Sequence, residues 1–253
     1  MSSNFLNIIT DALEEQKELF GDLLFDSVNF EKKNYPLQSS ENQAPIVSEK
    51  VELNMDKNLF AEDFQNAENL DELNSKINKC LKCELGKTRT NFVFGVGNPN
   101  ADIMLVGEAP GAEEDKQGIP FVGRAGKLLN DILKAIKFER EEVYIANILK
   151  CRPPGNRNPS PSEMETCIPY LYKQIELVKP KLILCLGLVA ATGLLKVKSS
   201  LTKLRGVVHD VNGIKTMVTY HPAALLRNPN WKYGAWEDVQ KFRKLYDEML
   251  GVK

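Results

Sequence analysis

The sequence has no apolar run approaching the ~18 residues that a membrane span needs, so no transmembrane helix is expected. Its first residues, MSSNFLNIITDALEEQKELF, carry acids and no basic stretch ahead of the apolar positions, which argues against a secretory leader. Those two absences predict a cytoplasmic protein. Cysteine is sparse and odd in number, five in 253 residues. In that compartment this excludes a disulfide framework and leaves metal ligands or core thiols. There is also no internal repeat of the kind that builds solenoids.

Net charge is nearly absent too, at −1, but the balance hides an asymmetry. Residues 1–75 hold 16 acidic and 5 basic side chains, a net of −11, while residues 76–253 hold 18 and 28, a net of +10. A basic folded part points to a polyanionic partner, because each neutralised phosphate releases counterions. With 43% apolar residues the chain can bury one substantial α/β core.

Three parts are expected. Over residues 1–26, Phe5, Ile8, Ile9, Ala12, Leu13, Leu19, Phe20, Leu23 and Leu24 fall on one helical face. Residues 27–57 are polar and aperiodic, with Tyr35-Pro36 and Ala44-Pro45, and read as a flexible linker. Residues 58–253 form the folded domain, beginning with one or two helices over 58–79. Strands are expected at 102–107, 142–148, 181–186 and 215–219, and helices near 124–137, 161–178, 187–195 and 231–249. Residues 205–211 followed by Asn212-Gly213 read as a hairpin into the last strand. The fold class is α/β: a three-layer α/β/α arrangement around a central, mainly parallel four-stranded sheet, with a helical or disordered N-terminal extension.

The first strand leaves through GEAPGAEEDKQGIPFVG, residues 107–123. From 108 to 123 this connection holds three glycines, two prolines and four acids. An ordinary βα connection needs only a few residues, so a ligand site at the carboxyl edge of the sheet is expected. Asn147 closes the second strand, where its carboxamide offers a donor and an acceptor side by side, as the edge of a nucleobase does. Capping a turn would serve the same residue. Beyond the last strand, Pro222 holds His221 in an extended or turn geometry. Leu225 and Leu226, with Arg227 beside them, read as an apolar tip of the kind used as a wedge between base steps. His209 reads as a strand-surface residue.

Cys80, Cys83, Cys151 and Cys167 sit among Lys82, Lys150, Arg152 and Pro153 rather than in apolar runs, unlike Cys185, which reads as core. Four thiolates can bind zinc or an iron–sulfur cluster, and the spacing does not separate the two.

In this order, Gly107-Glu108-Ala109-Pro110-Gly111, Pro120-Phe121-Val122-Gly123, Asn147, the four cysteines and His221-Pro222-Ala223-Ala224-Leu225-Leu226-Arg227 resemble the family 4 uracil-DNA glycosylases, the iron–sulfur branch of that superfamily. The resemblance covers about residues 76–250. It implies a [4Fe–4S] cluster on Cys80, Cys83, Cys151 and Cys167. It also implies a base-excision-repair enzyme, monomeric and working on uracil-containing DNA, that flips uracil out and hydrolyses its N-glycosidic bond. Asn147 would read the N3–H and O4 edge, Phe121 would stack on the base, and Ala109 and Glu114 would complete the pocket, Glu114 crowding the C5 position. His221 would donate to uracil O2, Glu108 would support the sugar cation or orient water, and Leu225 or Leu226 would fill the gap beside Arg227. Where other branches place a water-activating acid after Gly107-Glu108, this chain has Ala109, which leaves the general base open. Two rival readings are a superfamily member of broader base specificity (hypoxanthine, mismatched thymine) and a non-catalytic iron–sulfur DNA-binding module. Separately, Gln16-Lys17-Glu18-Leu19-Phe20 resembles the Gln-x-x-Leu-Phe peptides that dock on bacterial sliding clamps, an acidic tether joined through the linker.

Overall fold

The strand from Ile103 to Gly107 is buried at every position, which requires apolar layers on both faces of the sheet. In the computed structural model, which describes residues 47–51 and 62–251, those layers are helical. The expected helix over 1–26, with its Gln16–Phe20 segment, lies outside the described residues.

In chain order the domain holds β1 (Val47–Val51), α1 (Leu70–Ile77), α2 (Leu85–Thr88), β2 (Val96–Gly97), β3 (Ile103–Gly107), α3 (Ala112–Gln117), α4 (Arg124–Ala135) and β4 (Tyr144–Asn147). It continues with α5 (Pro161–Val178), β5 (Leu182–Leu186), α6 (Leu188–Leu195), α7 (Leu201–Leu204), β6 (Val208–Val211), β7 (Ile214–Thr219), α8 (Pro222–Arg227) and α9 (Lys232–Leu250).

Among the described residues the sheet has seven strands in the order β1-β6-β7-β5-β3-β4-β2, not the four expected. The four expected strands are its contiguous centre, β7-β5-β3-β4, and every pair there is parallel. The edges depart from that pattern: β2 and β6 pair antiparallel with β4 and β7, while β1 pairs parallel with β6. Strand β1 falls inside the stretch expected to be linker. The hairpin between β6 and β7 turns through Asn212 and Gly213 at φ 56° and 82°, the left-handed pair that a tight two-residue turn requires.

Alternation along each strand sorts the core into two layers. Ile103 and Leu105 pack with Leu129 and Leu133 of α4 and Val239 and Phe242 of α9. Met104 and Val106 face the other way, toward Leu73 of α1, Leu171 and Ile175 of α5 and Leu194 of α6. Cys185 lies in that second layer, fully buried as expected. Each such buried aliphatic side chain contributes about 1.5–3 kcal/mol relative to exposure. Helix α5 begins at a reciprocal cap: Ser160 accepts from the Glu163 N–H, and Glu163 accepts from the Ser160 N–H, with Pro161 in the first turn.

The long 107–123 connection, expected to be a loop, contains α3. Its signals are present in Gly111 before it, three acids in its first turn and Gly118 at its end. Because the central strands are parallel, Gly107, Asn147, Leu186 and Thr219 all end at one edge of the sheet, and the motifs that follow them converge there.

Candidate active site

A cavity of about 300 Å³ opens at that carboxyl edge. Glu108, Ala109, Glu114, Phe121, Asn147, His221 and Arg227 all line it, so the structure gathers seven of the nine expected base- and DNA-contacting residues. It separates the other two. Leu225 is 1% exposed and packs with Leu128 of α4 and Ala235 of α9, so it is a core residue and not part of an exposed tip. Leu226, the next residue on α8, is 36% exposed. A helix turns about 100° per residue, which sends adjacent leucines to opposite environments.

Three features shape the floor. A Cβ on Gly107 would stand 2.7 Å from Cζ of Phe121 and closer still to Oδ1 of Asn147, so only glycine lets those two side chains meet over β3. Phe121 takes a left-handed backbone, φ 53°, and its ring stacks on His221 with centroids 5.5 Å apart and planes at 28°. Glu114 secures this turn: Oε1 accepts the N–H groups of Val122 at 3.0 Å and Gly123 at 3.1 Å.

Asn147 is 2% exposed, and its Oδ1 has no hydrogen-bond partner. A buried carbonyl-type oxygen without a partner costs about 1–3 kcal/mol. Neighbouring polar groups of this protein do not satisfy it, although the residue lines a cavity. His221 is the N-cap of α8, extended at φ −70° and ψ 133°, and its Nδ1 accepts the Ala223 N–H at 3.1 Å. Burial, reinforced by Arg227 and opposed by Glu114, lowers its pKa to about 4. Glu108 shows the complementary effect: burial raises its carboxyl above the ordinary range, with Arg227 opposing.

The cavity rim also holds residues that the sequence reading did not single out for this site: Pro153, Asn156, Arg157 and Asn158. Arg157 donates to both oxygens of Glu163, at 2.9 and 2.6 Å, which fixes this loop to the start of α5. The density of Arg, Asn and Pro directly after Cys151 was the available signal.

The four expected ligand cysteines meet in one corner of the α1–α5 layer, where all four belong to a single packed cluster. Cys151 lies within electrostatic reach of Cys80 and Cys83, and Cys167 of Cys151 and Cys83. Arg89 ties the corner together, donating to the Cys80 carbonyl at 2.7 Å and to Sγ of Cys151 at 3.1 Å, and the Tyr170 hydroxyl donates to Sγ of Cys80 at 3.1 Å. Burial pushes the Cys167 thiol up to about 12, with Lys150 opposing. Among the described residues, no three Cys, His, Asp or Glu side chains are grouped to hold a single metal ion. His209 is on β6, where its Nε2 meets the Leu204 carbonyl oxygen at 2.9 Å, away from all of this. Among the described residues, no helix is long and apolar enough to cross a membrane.

Comparison with known proteins agrees with this geometry. The family model of the uracil DNA glycosylase superfamily matches residues 94–248. A type-4 uracil-DNA glycosylase of Archaeoglobus fulgidus is 45% identical over 186 residues, covering 70% of this chain and 94% of that protein. Another, of Thermotoga maritima, is 47% identical over 158 residues, covering 62% and 82%. A type-5 uracil-DNA glycosylase of Pyrobaculum aerophilum is more distant, at 32% over 146 residues, covering 51% and 64%. The chain therefore belongs to the uracil DNA glycosylase superfamily, and within it to the type-4 uracil-DNA glycosylases.

Proposed function

We infer that this protein removes uracil from DNA by hydrolysing the bond between uracil N1 and the deoxyribose C1′, leaving an abasic site. The observation that carries the reading is the buried, unpartnered Oδ1 of Asn147 at the edge of a 300 Å³ cavity beside a stacked Phe121. A carboxamide there can accept the N3–H of uracil and donate to O4. Cytosine presents the reverse pattern at those positions and would leave both groups unsatisfied. The target atom of a duplex is out of reach, so the nucleotide enters flipped out of the stack.

The residues divide the work as follows. Phe121 stacks on the base, a contact contributing about 1–3 kcal/mol in comparable sites. Ala109 and Glu114 bound the pocket, and Glu114 does so while holding the Phe121 turn. As the glycosidic bond breaks, its electron pair moves into the uracil ring and charge collects on O2. A neutral His221, with Nδ1 already accepting from Ala223, presents Nε2–H to that oxygen. Glu108 faces the opposite charge, supporting the cationic sugar or orienting the water that adds to C1′. Leu226 fills the gap left in the stack, and Arg227 meets a phosphate.

The cysteine corner fits an iron–sulfur cluster by its donor chemistry. It offers four sulfurs from three chain segments, with the cations Arg89 and Lys150 close to the two most buried thiols. Cys80, Cys83, Cys151 and Cys167 would hold it, since a four-iron centre takes four thiolates. Hydrolysis involves no net oxidation or reduction, so when bound the cluster supplies cross-linking and charge rather than redox chemistry.

The test is release of base from oligonucleotides carrying one uracil, thymine or hypoxanthine, scored as alkali-labile sites. Uracil-selective release is expected. Release of all three bases would replace the reading with a broad-specificity enzyme, and no release from any would leave a DNA-binding protein.

A further inference from the structure

Lys150 is 0% exposed, a long charged side chain buried to its end. Its ammonium donates to the main-chain carbonyl of Asn147 at 2.8 Å and to Oε1 of Gln174 at 2.5 Å. Gln174, also fully buried, donates in turn to the Phe94 carbonyl at 2.9 Å and the Tyr144 hydroxyl at 3.2 Å. Tyr144 opens β4 and Asn147 closes it, so this network grips the strand at both ends from α5.

Burying an ammonium is among the most expensive things a fold can do, and a methionine of similar volume would fill the same space without that penalty. Among the described residues, no carboxylate stands within ion-pair distance of Lys150; its ammonium is held by the two oxygens of Asn147 and Gln174. The lysine is therefore placed for what its ammonium holds, and what it holds is the peptide group of the base-reading residue.

We propose that Lys150 is a positioning residue for uracil recognition: it acts through the main chain of Asn147, fixing the strand end so that the unpartnered carboxamide faces the cavity. The inference rests on the reading of Asn147 given above. The rate of uracil release then depends on Lys150 only as far as Asn147 is present to be positioned.

The experiment uses the full-length, iron-loaded protein in single-turnover release of uracil, with enzyme in excess, alongside iron content and Tm. Lys150→Met is expected to lower the rate ~10- to 100-fold, the range for losing a hydrogen bond to a buried charged group. In an Asn147→Ala background the same substitution is expected to change the rate less than ~2-fold, while its effect on Tm is the same in both backgrounds. A purely structural lysine would lower the rate by one common factor in both, and that result overturns the proposal, as does a wild-type rate in Lys150→Met. If Lys150→Met fails to fold or loses its iron, Gln174→Leu removes the other anchor at one remove from the cysteines and carries the same comparison. An unaltered protein that releases no uracil overturns the glycosylase reading instead, so the two failures are distinct.

Discussion

The Ala223 N–H donates to Nδ1 of His221 at 3.1 Å, and this bond decides where the imidazole proton sits. With Nδ1 accepting, a neutral ring must carry its proton on Nε2. The pKa of about 4 keeps the ring neutral throughout the physiological range. An enzyme relying on a charged imidazole would lose rate as pH rises through 6 to 7; here His221 contributes no such loss. The first loss on the acid side belongs to Glu108, whose carboxyl is raised by burial. A pH–rate profile in which Glu108→Gln abolishes the acid limb and His221 contributes no step near 6.5 is the expected outcome.

The same residue sets a stability slope. Unfolded, His221 takes up a proton near pH 6.5; folded, it does so only near 4. Between those values the unfolded chain binds more protons, so stability is complete above about 6.5 and falls as pH drops toward 4. The difference amounts to about 3 kcal/mol. Denaturant titrations at pH 7 and pH 5 should show a drop that His221→Gln lacks. A pH-independent difference between the two proteins would mean that the imidazole is not held neutral.

Asn147→Ala should separate function from stability. It removes both hydrogen bonds to uracil, and a bidentate contact of this kind to a base contributes about 1–3 kcal/mol of discrimination. Uracil release should fall at least ~10-fold. Tm should hold or rise, because the substitution also removes a buried oxygen that has no partner. A large fall in Tm would show Asn147 to be a structural cap, the other reading its sequence position allows.

Leu225 and Leu226 are neighbours with opposite expectations. Leu225→Ala empties a packed site between α4 and α9 and should cost about 2–5 kcal/mol of stability. Leu226→Ala touches an exposed side chain and should leave Tm unchanged while slowing release from duplex DNA more than from single strands, where there is no stack to fill. Equal slowing on both substrates would remove Leu226 from the wedge role.

The central strands were legible because runs such as Ile103-Met104-Leu105-Val106 are apolar on both faces, which only a covered sheet tolerates. The edges were not. Strand β2 is two residues long and one is glycine, and β1 is an isolated Val-to-Val stretch in polar surroundings whose partner is remote in sequence. Among site residues, Asn147 stood out because it closes a strand and His221 because it precedes a proline just beyond one, whereas Glu108 and Phe121 lie in the over-long loop and took their roles from the family resemblance. Leu225 could not be told from Leu226, since nothing in the dipeptide sets the phase of a six-residue helix. Lys150 and Gln174 were missed for a different reason. A charged residue just past a strand reads as surface, and its burial depends on α5, an element that begins eleven residues later. The faint signal was position: Lys150 follows Ile148 and Leu149, both buried, and precedes Cys151, one of the four proposed cluster cysteines.

The cysteine corner makes the last prediction. It links residues 80–83 to 151 and 167, segments that otherwise meet through packing and the Arg89 bonds. Protein purified without oxygen should carry about four irons and four acid-labile sulfides per chain. Because metal binding to such a site is folding free energy, Cys83→Ser or exhaustive chelation should lower Tm by about 10 °C or more. No step of the hydrolysis passes an electron. Oxidising or reducing an intact cluster should therefore leave the single-turnover rate on uracil unchanged, while its removal lowers both rate and Tm. A single zinc per chain would keep the structural role and discard the cluster. A redox-dependent rate with the cluster intact would contradict the cross-linking account and require the corner to act on the site in another way.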